Sequence, residues 1–252
     1  MNYLKQLVFF LIVICNTNLN ASSILLPMDN DGQQNHLKAY GITYWALAKN
    51  YKVNWLLNYR GGSFLLPDGD DIRKECQIRG VSFEVLSDGA TSSILEEISS
   101  PSQNMETVVL EKAPKIAVYT PKGKQPWDDA VTMVLTYAEI PYTEIYDTEV
   151  LSDQLVLYEW LHLHHEDFTG QYGKFFSNYR NAPWYIQQKT EAEALAKKLG
   201  FNKVSEEKLA VATKIRDYVI GGGFMFAMCS ATDSFDIALA AQNTDICEPM
   251  FD

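Results

Sequence analysis

The segment richest in chemical content is GGGFMFAMCSATDSFDIALAAQ, Gly221 to Gln242. Three glycines release the chain, Phe224 to Met228 is an uninterrupted apolar run of strand character, and Ser234 to Ala241 has helical composition. Cys229 therefore falls at a strand-to-helix turn. A nucleophile elbow occupies such a turn and needs small residues two before and two after the nucleophile, because the bend is strained and crowded. Ala227 and Ala231 meet that need. A thiolate at a helix head is favoured by the positive end of the helix. Backbone amides at the elbow, Ser230 among them, would supply oxyanion donors. The competing reading makes Cys229 a small core residue that closes a buried strand, since free cysteine is among the most buried residue types.

A nucleophilic cysteine needs a base. All four histidines, His36, His162, His164 and His165, precede Cys229. Three stand in WLHLHHEDFTGQYG, Trp160 to Gly173. On a strand, His162 and His164 share one face and Leu161, Leu163 and His165 the other, with His165, Glu166 and Asp167 running into the loop at the carboxyl end. His165 is thus a candidate base for Cys229, and Glu166 and Asp167 are candidate substrate-binding carboxylates. The same cluster has metal-ligand chemistry, but no H-E-x-x-H or other known spacing accompanies it. Strand histidines are also commonly satisfied by hydrogen bonds inside a sheet. No metal and no cofactor is assigned.

Weaker signals follow two other strands. Arg60, ahead of Gly61 and Gly62, has the charge to bind a carboxylate, or belongs simply to a turn. Lys122-Gly123-Lys124 resembles a phosphate loop only loosely, with neither Walker nor G-x-G-x-x-G spacing. Trp127, Trp160 and Trp184 read as core residues.

The elements that would position these residues alternate. Ile24 to Met28 reads as a strand, and Asn35 caps a helix carrying Leu37, Tyr40, Tyr44, Trp45 and Ala48 at helical spacing. Val53 to Tyr59 and Ser63 to Leu66 read as strands, Asp68 to Arg79 as a helix closed by Gly80, and Val81 to Leu86 as a strand. Ser87 to Thr107 is poor in apolar residues and marks a boundary or surface excursion. Lys115 to Thr120 starts a second unit, followed by a helix opened by Pro126, a strand at Tyr142 to Tyr146 and another at Tyr158 to His164. A loop from Glu166 to Arg180, helices at Pro183 to Leu199 and, behind a Ser205 cap, to Ile220 lead to the Cys229 segment. The division is 1–21, 22–112 and 113–252. This alternation predicts an α/β fold with a mostly parallel sheet flanked by helices, whose ligands bind beyond the carboxyl ends of the strands.

The totals narrow the partners. With 252 residues and 47% hydrophobic content the chain can bury a full core. Its 21 Lys and Arg against 32 Asp and Glu give a net charge of -11, which repels nucleic acid and anionic lipid. Lys5, the apolar run Leu7 to Cys15 and the small residues from Ala21 have the order of a secretory signal peptide cleaved near Ala21. A span needs roughly 20 apolar residues, so the mature chain is expected in the periplasm or outside the cell, with no membrane association. Cys76, Cys229 and Cys247 would remain, an odd number in a disulfide-favouring compartment.

The segments LLPMDNDGQQNHLKAYGITYWAL, NWLLNYRGGSFLLP, APKIAVYTPKGKQPWDDAV, WLHLHHEDFTGQYGKF and GGGFMFAMCSATDSFDIALAA together resemble an exported bacterial family commonly labelled asparagine synthetase B. That label implies ATP-dependent transfer of glutamine ammonia to aspartate. The nucleophile of true synthetases is a cysteine directly after the initiator methionine, where this chain has Asn2. Their S-G-G-x-D-S phosphate loop has only an echo in Ser230-Ala231-Thr232-Asp233-Ser234, which lacks glycine. The second half is also similar to the class I glutamine amidotransferase-like, flavodoxin-like fold. That resemblance implies Cys229 as nucleophile, with Ala227 and Ala231 in place of the flanking glycines of G-x-C-x-G. It also implies a histidine and a glutamate downstream, so the unit ending at Asp252 reads as C-terminally truncated. Three functions follow: a cysteine-dependent amide hydrolase acting on a small-molecule amide, a non-catalytic exported protein that binds a ligand or partner, and, least supported, a genuine synthetase.

Overall fold

The computed structural model describes residues 22–121, 130–170 and 173–248. The segment expected to be a signal peptide, with Asn2, the Lys122–Lys124 motif, Pro126 and Trp127, lies outside the described residues. The chain divides into two units, Met1–Ala113 and Pro114–Asp252.

The first unit contains β1 (Ser23–Leu26), α1 (His36–Ala48), β2 (Val53–Leu57), β3 (Phe64–Pro67), α2 (Asp70–Arg79), β4 (Glu84–Leu86), α3 (Asp88–Ser99) and β5 (Glu106–Leu110). Its sheet, in the order β4-β1-β3-β2-β5, is antiparallel at every pairing. The expectation of a mostly parallel sheet is therefore corrected for this half. The reason lies in the connections: β2 and β3 are joined by the short turn at Asn58–Ser63, whereas a parallel pair needs a crossover of a dozen or more residues. That turn is tight enough to put Asn58, Arg60, Gly61 and Gly62 at positive φ. Gly61 is required there, since a Cβ would come 2.4 Å from the Met28 carbonyl oxygen. Asn35 caps α1 by accepting from the Lys38 amide at 3.4 Å.

Ser87 to Thr107 is neither a boundary nor an irregular excursion. Ser87 accepts from the Ala90 amide and starts α3, whose Ile94, Leu95 and Ile98 pack on Leu25, Leu56 and Leu65, and β5 completes the sheet. Three apolar residues at helical spacing suffice within an otherwise polar segment.

The second unit contains β6 (Ile116–Tyr119), α4 (Ala130–Ala138), β7 (Tyr142–Ile145), α5 (Asp147–Leu151), β8 (Trp160–Leu163), α6 (Gly173–Tyr179), α7 (Pro183–Lys198), α8 (Val204–Ile220), β9 (Phe224–Ala227) and α9 (Ser230–Ala240). Here the sheet is parallel throughout, in the order β7-β6-β8-β9, so the carboxyl ends of β8 and β9 are neighbours. Ala117, Tyr119, Leu161 and Leu163 on one face pack beneath Val211, Ala212 and Ile215 of α8 and Ala231, Phe235 and Ala238 of α9. Each fully buried leucine contributes about 2 kcal/mol. Part of the expected long loop after Glu166 is the helix α6. Helix α8 begins at Val204, with Lys203 rather than a serine at its N-cap position. Trp184, expected in the core, is 39% exposed among Phe175 and Tyr179.

Candidate functional site

Strand β9 forms because Gly221–Gly223 end α8 and the next residues are apolar. Gly223 has no room for a side chain: a Cβ would lie 2.2 Å from the Tyr218 ring. The strand then turns abruptly. Cys229 has φ 51 and ψ -141, a conformation that non-glycine residues rarely hold, and α9 starts at the next residue. Its side chain is exposed, so the core reading of Cys229 is overturned. Ala231 is fully buried, which accounts for a small residue two after the cysteine.

The turn is held by the loop that follows β8. The Ala231 amide donates to the His164 carbonyl at 3.3 Å, Ser230 Oγ to the His165 carbonyl at 2.9 Å, and Ser234 Oγ to the Glu166 carbonyl at 2.9 Å. The Met228 amide donates to the Leu163 carbonyl at 3.0 Å. Three successive residues of one loop thus grip the first turn of α9. Cys229, Ser230 and His165, singled out from different parts of the sequence, are brought together at two adjacent strand ends. The Ser230 hydroxyl is committed to this docking.

The histidine pair has a defined arrangement. His164 and His165 place their rings 4.4 Å apart with the two Nδ1 atoms 3.0 Å from each other, so one of these nitrogens donates and the other accepts. Glu166 accepts from the His164 amide at 3.1 Å, and burial pushes its carboxyl above the usual carboxylate range. Asp167 Oδ1 accepts from both the amide and the hydroxyl of Thr169, at 2.9 and 2.5 Å, so it braces the loop. Phe168, fully buried, anchors the loop between Tyr119 and Phe235, with ring centroids at 5.2 and 5.6 Å. Beyond it Gly170 is held at φ 74 against Ser205, where a Cβ would come within 2.7 Å of the backbone.

His162 lies within β8. It is 6% exposed, stacks on Phe226 at 5.6 Å, and its Nε2 has no hydrogen-bond partner among the described residues. Burial, helped by His164, lowers it to about 4, so it is neutral at physiological pH. The described residues contain no group of three or more His, Cys, Asp or Glu side chains able to hold a metal. Arg60 belongs to the first unit, where Asp29 accepts from Nε at 2.5 Å and Glu84 from a terminal nitrogen at 2.8 Å. Its charge is matched within its own fold.

Sequence reasoning missed a polar cluster at the carboxyl ends of β6 and β7. Lys208 of α8, 6% exposed, donates to the Tyr119 and Tyr146 hydroxyls at 3.0 Å each and to Asp147 at 2.6 Å, while the Tyr119 hydroxyl also donates to Asp147. Burial alone would push the lysine down, but Tyr146, Asp147 and Glu207 outweigh it and hold the ammonium above its ordinary value. A signal was present in the spacing: Lys208 lies on the stripe formed by Val204, Val211, Ala212 and Ile215, where a solvated lysine has no place. Two clefts, of about 380 and 460 Å³, open beside Lys203–Leu209 and beside Asp153–Glu159, and neither is lined by Cys229, His165 or Ser230.

Comparison of the chain with protein-family models, curated proteins and solved structures found no match.

Proposed function

We propose that the chain is an exported cysteine-dependent amide hydrolase, with Cys229 as nucleophile and His165 as general base. The observation that carries this reading is the Cys229 turn: an exposed thiol on a left-handed residue, at the head of a helix, gripped by the loop bearing two histidines. Such backbone strain persists only where surrounding contacts impose it, and it concentrates at functional sites. A structural cysteine would need neither exposure nor strain. The resemblance to the amidotransferase-like fold points to the same thiol.

In the proposed reaction His165 takes the thiol proton at Nε2, which requires its Nδ1–H to donate to His164 Nδ1. The thiolate adds to the amide carbonyl, and elbow amides, that of Ser230 among them, stabilise the oxyanion. Collapse breaks the C–N bond, and the amine leaves with the proton held by His165. Water, deprotonated by the same imidazole, hydrolyses the thioester and returns the proton to sulfur. No ATP enters this scheme.

The test is the rate of Cys229 alkylation by iodoacetamide between pH 5 and 9, compared in wild type, His165→Ala and Cys229→Ser. Cys76 and Cys247 are buried, and burial pushes the Cys76 thiol up to about 11, so neither competes. Fast labelling at pH 6 that slows in the His165 variant supports the hydrolase. Slow labelling that is unaffected by His165→Ala removes the nucleophile and leaves the binding-protein reading.

A further inference from the structure

Successive side chains on a strand point to opposite faces and do not touch. His164 and His165 touch because the chain has left β8 at Leu163 and turned its next carbonyls toward α9. The carbonyls of His164, His165 and Glu166 accept from the Ala231 amide, Ser230 Oγ and Ser234 Oγ, and the Glu166 carboxyl folds back on the His164 amide. Each of these bonds fixes a backbone group beside one of the two rings. The convergence of the rings, 4.4 Å apart with the Nδ1 atoms 3.0 Å from each other, is therefore imposed by the same contacts that hold the first turn after Cys229.

A bond between two Nδ1 atoms has room for one proton. In the neutral pair, the ring that donates from Nδ1 keeps a lone pair at its own Nε2, and the other ring carries its proton at Nε2. One added proton preserves the bond, because an imidazolium donates to a neutral ring more strongly than an imidazole does. A second added proton sets N–H against N–H and breaks it.

We infer that His164 is the positioning residue of the proposed site, accepting from His165 Nδ1–H and so holding the lone pair at His165 Nε2, and that the pair admits one extra proton but not two, which closes the site in acid. The inference rests on the hydrolase reading and deepens it by naming what orients the base and what regulates it. As His165 takes the thiol proton, positive charge develops on a ring already bonded to His164, and the bond strengthens as the thiolate forms. A carboxylate in the same place would hold the imidazolium in acid as well. An imidazole that is itself protonated lets it go.

The ionisable groups on the elements packed here are His162 on β8, Glu166 and Asp167 on the loop, Lys208 on α8, and Cys229 and Asp233 at the head of α9. His162 is kept neutral at physiological pH by burial and by His164. Asp167 is taken up by Thr169, and Lys208 by Asp147 and two tyrosines. Asp233 is exposed, where solvent and salt screen its charge. Glu166 is the carboxyl that feels His165: the imidazolium pulls it down against the effect of burial, and in return its charge supports a proton on the pair. One carboxylate balances one imidazolium.

The experiment reads histidine protonation and Cys229 labelling in the full chain. In wild type, nitrogen-15 NMR at pH 8 should show a proton on His165 Nδ1, a bare His164 Nδ1, and a coupling between the two nuclei through the hydrogen bond. His164→Asn presents an amide oxygen where the ring nitrogen stood, whereas His164→Phe presents no acceptor. Iodoacetamide labelling of Cys229 at pH 7 should slow about three- to tenfold in His164→Phe, the worth of one hydrogen bond, and stay within about twofold of wild type in His164→Asn. In acid the wild-type rate should fall with the uptake of two protons and the His164→Asn rate with the uptake of one. Equal slowing in the two His164 variants, or a bare Nδ1 on His165 in wild type, overturns the positioning role, and a one-proton acid limb in wild type overturns the gate. In those cases labelling that still slows in His165→Ala leaves the hydrolase standing. Labelling indifferent to His165→Ala overturns the hydrolase and the pairing with it.

Discussion

Glu207 provides a quantitative check on the buried polar cluster. Its side chain is 1% exposed, and Oε1 has no partner among the described residues. Burial raises its carboxyl from 4.5 to about 8, against the pull of Lys208 and with the help of Asp147. Below pH 4.5 the folded and unfolded chains both carry the proton. Between 4.5 and about 8 the unfolded chain releases it while the folded chain keeps it, so folding loses stability as pH rises through that window and changes no further above it. At about 1.4 kcal/mol per pH unit the whole window is worth at most about 5 kcal/mol, and solvent relaxation around the group brings the expected value to about 2 to 3 kcal/mol. Glu207→Gln keeps the shape and the hydrogen-bonding capacity but does not titrate. Relative to wild type the variant should therefore gain about 2 to 3 kcal/mol between pH 5 and pH 8. Hydrogen exchange of the β6 and α8 amides in graded urea isolates the second unit and reads this difference at each pH. Wild-type and variant curves that run parallel across the window would refute the reasoning, whatever their separation.

Two further perturbations act on the site itself. His162 is held down to about 4, so its contribution is complete above about pH 6.5 and is lost as pH falls toward 4; His162→Phe should gain about 2 kcal/mol on wild type between pH 7 and pH 4, read by the same exchange measurement. Cys229 places an exposed side chain on a strained backbone, so Cys229→Gly loses no packing and relieves about 1 to 3 kcal/mol of strain against about 0.5 to 1 kcal/mol of added chain entropy. The melting temperature should rise by roughly 2–4 °C, and a fall on calorimetry would show that the turn is not strained.

Much of the second unit was legible because its strands are short apolar runs between capped or glycine-ended helices, and because a parallel sheet sends each carboxyl end to the same side. That is why Cys229 and the residues after Leu163, 65 positions apart at the Ser230 to His165 bond, could both be placed at carboxyl strand ends from pattern alone, although that their strands are neighbours is shown only by the structure. The antiparallel first unit misled the pattern: helices separate some of its strands, yet β1 lies between β3 and β4 rather than beside a parallel partner. Element order is visible in hydrophobic periodicity, whereas strand neighbours depend on connection length and on long-range packing. Helix α3 escaped notice because its three apolar residues are spread among serines and acids. The Lys208 cluster escaped because its partners, Tyr119, Tyr146 and Asp147, come from two other elements and acquire meaning only when β6 and β7 pair.

The position of that cluster bears on where chemistry can occur. In the order β7-β6-β8-β9 the chain leaves β6 toward β7 on one side and later returns to β8 on the other, so the switch-point crevice lies between the carboxyl ends of β6 and β8. A ligand would ordinarily enter there. Among the described residues, Tyr119 at the end of β6 stacks on Phe168 of the loop after β8, both fully buried, and Lys208 pairs with Asp147 nearby. The cluster is costly to open, because removing one member of such a pair leaves a buried charge uncompensated, about 3 to 5 kcal/mol. It also braces Phe168, and through Phe168 the loop that grips α9. The cluster thus contributes to the rigidity of the His164–Glu166 loop.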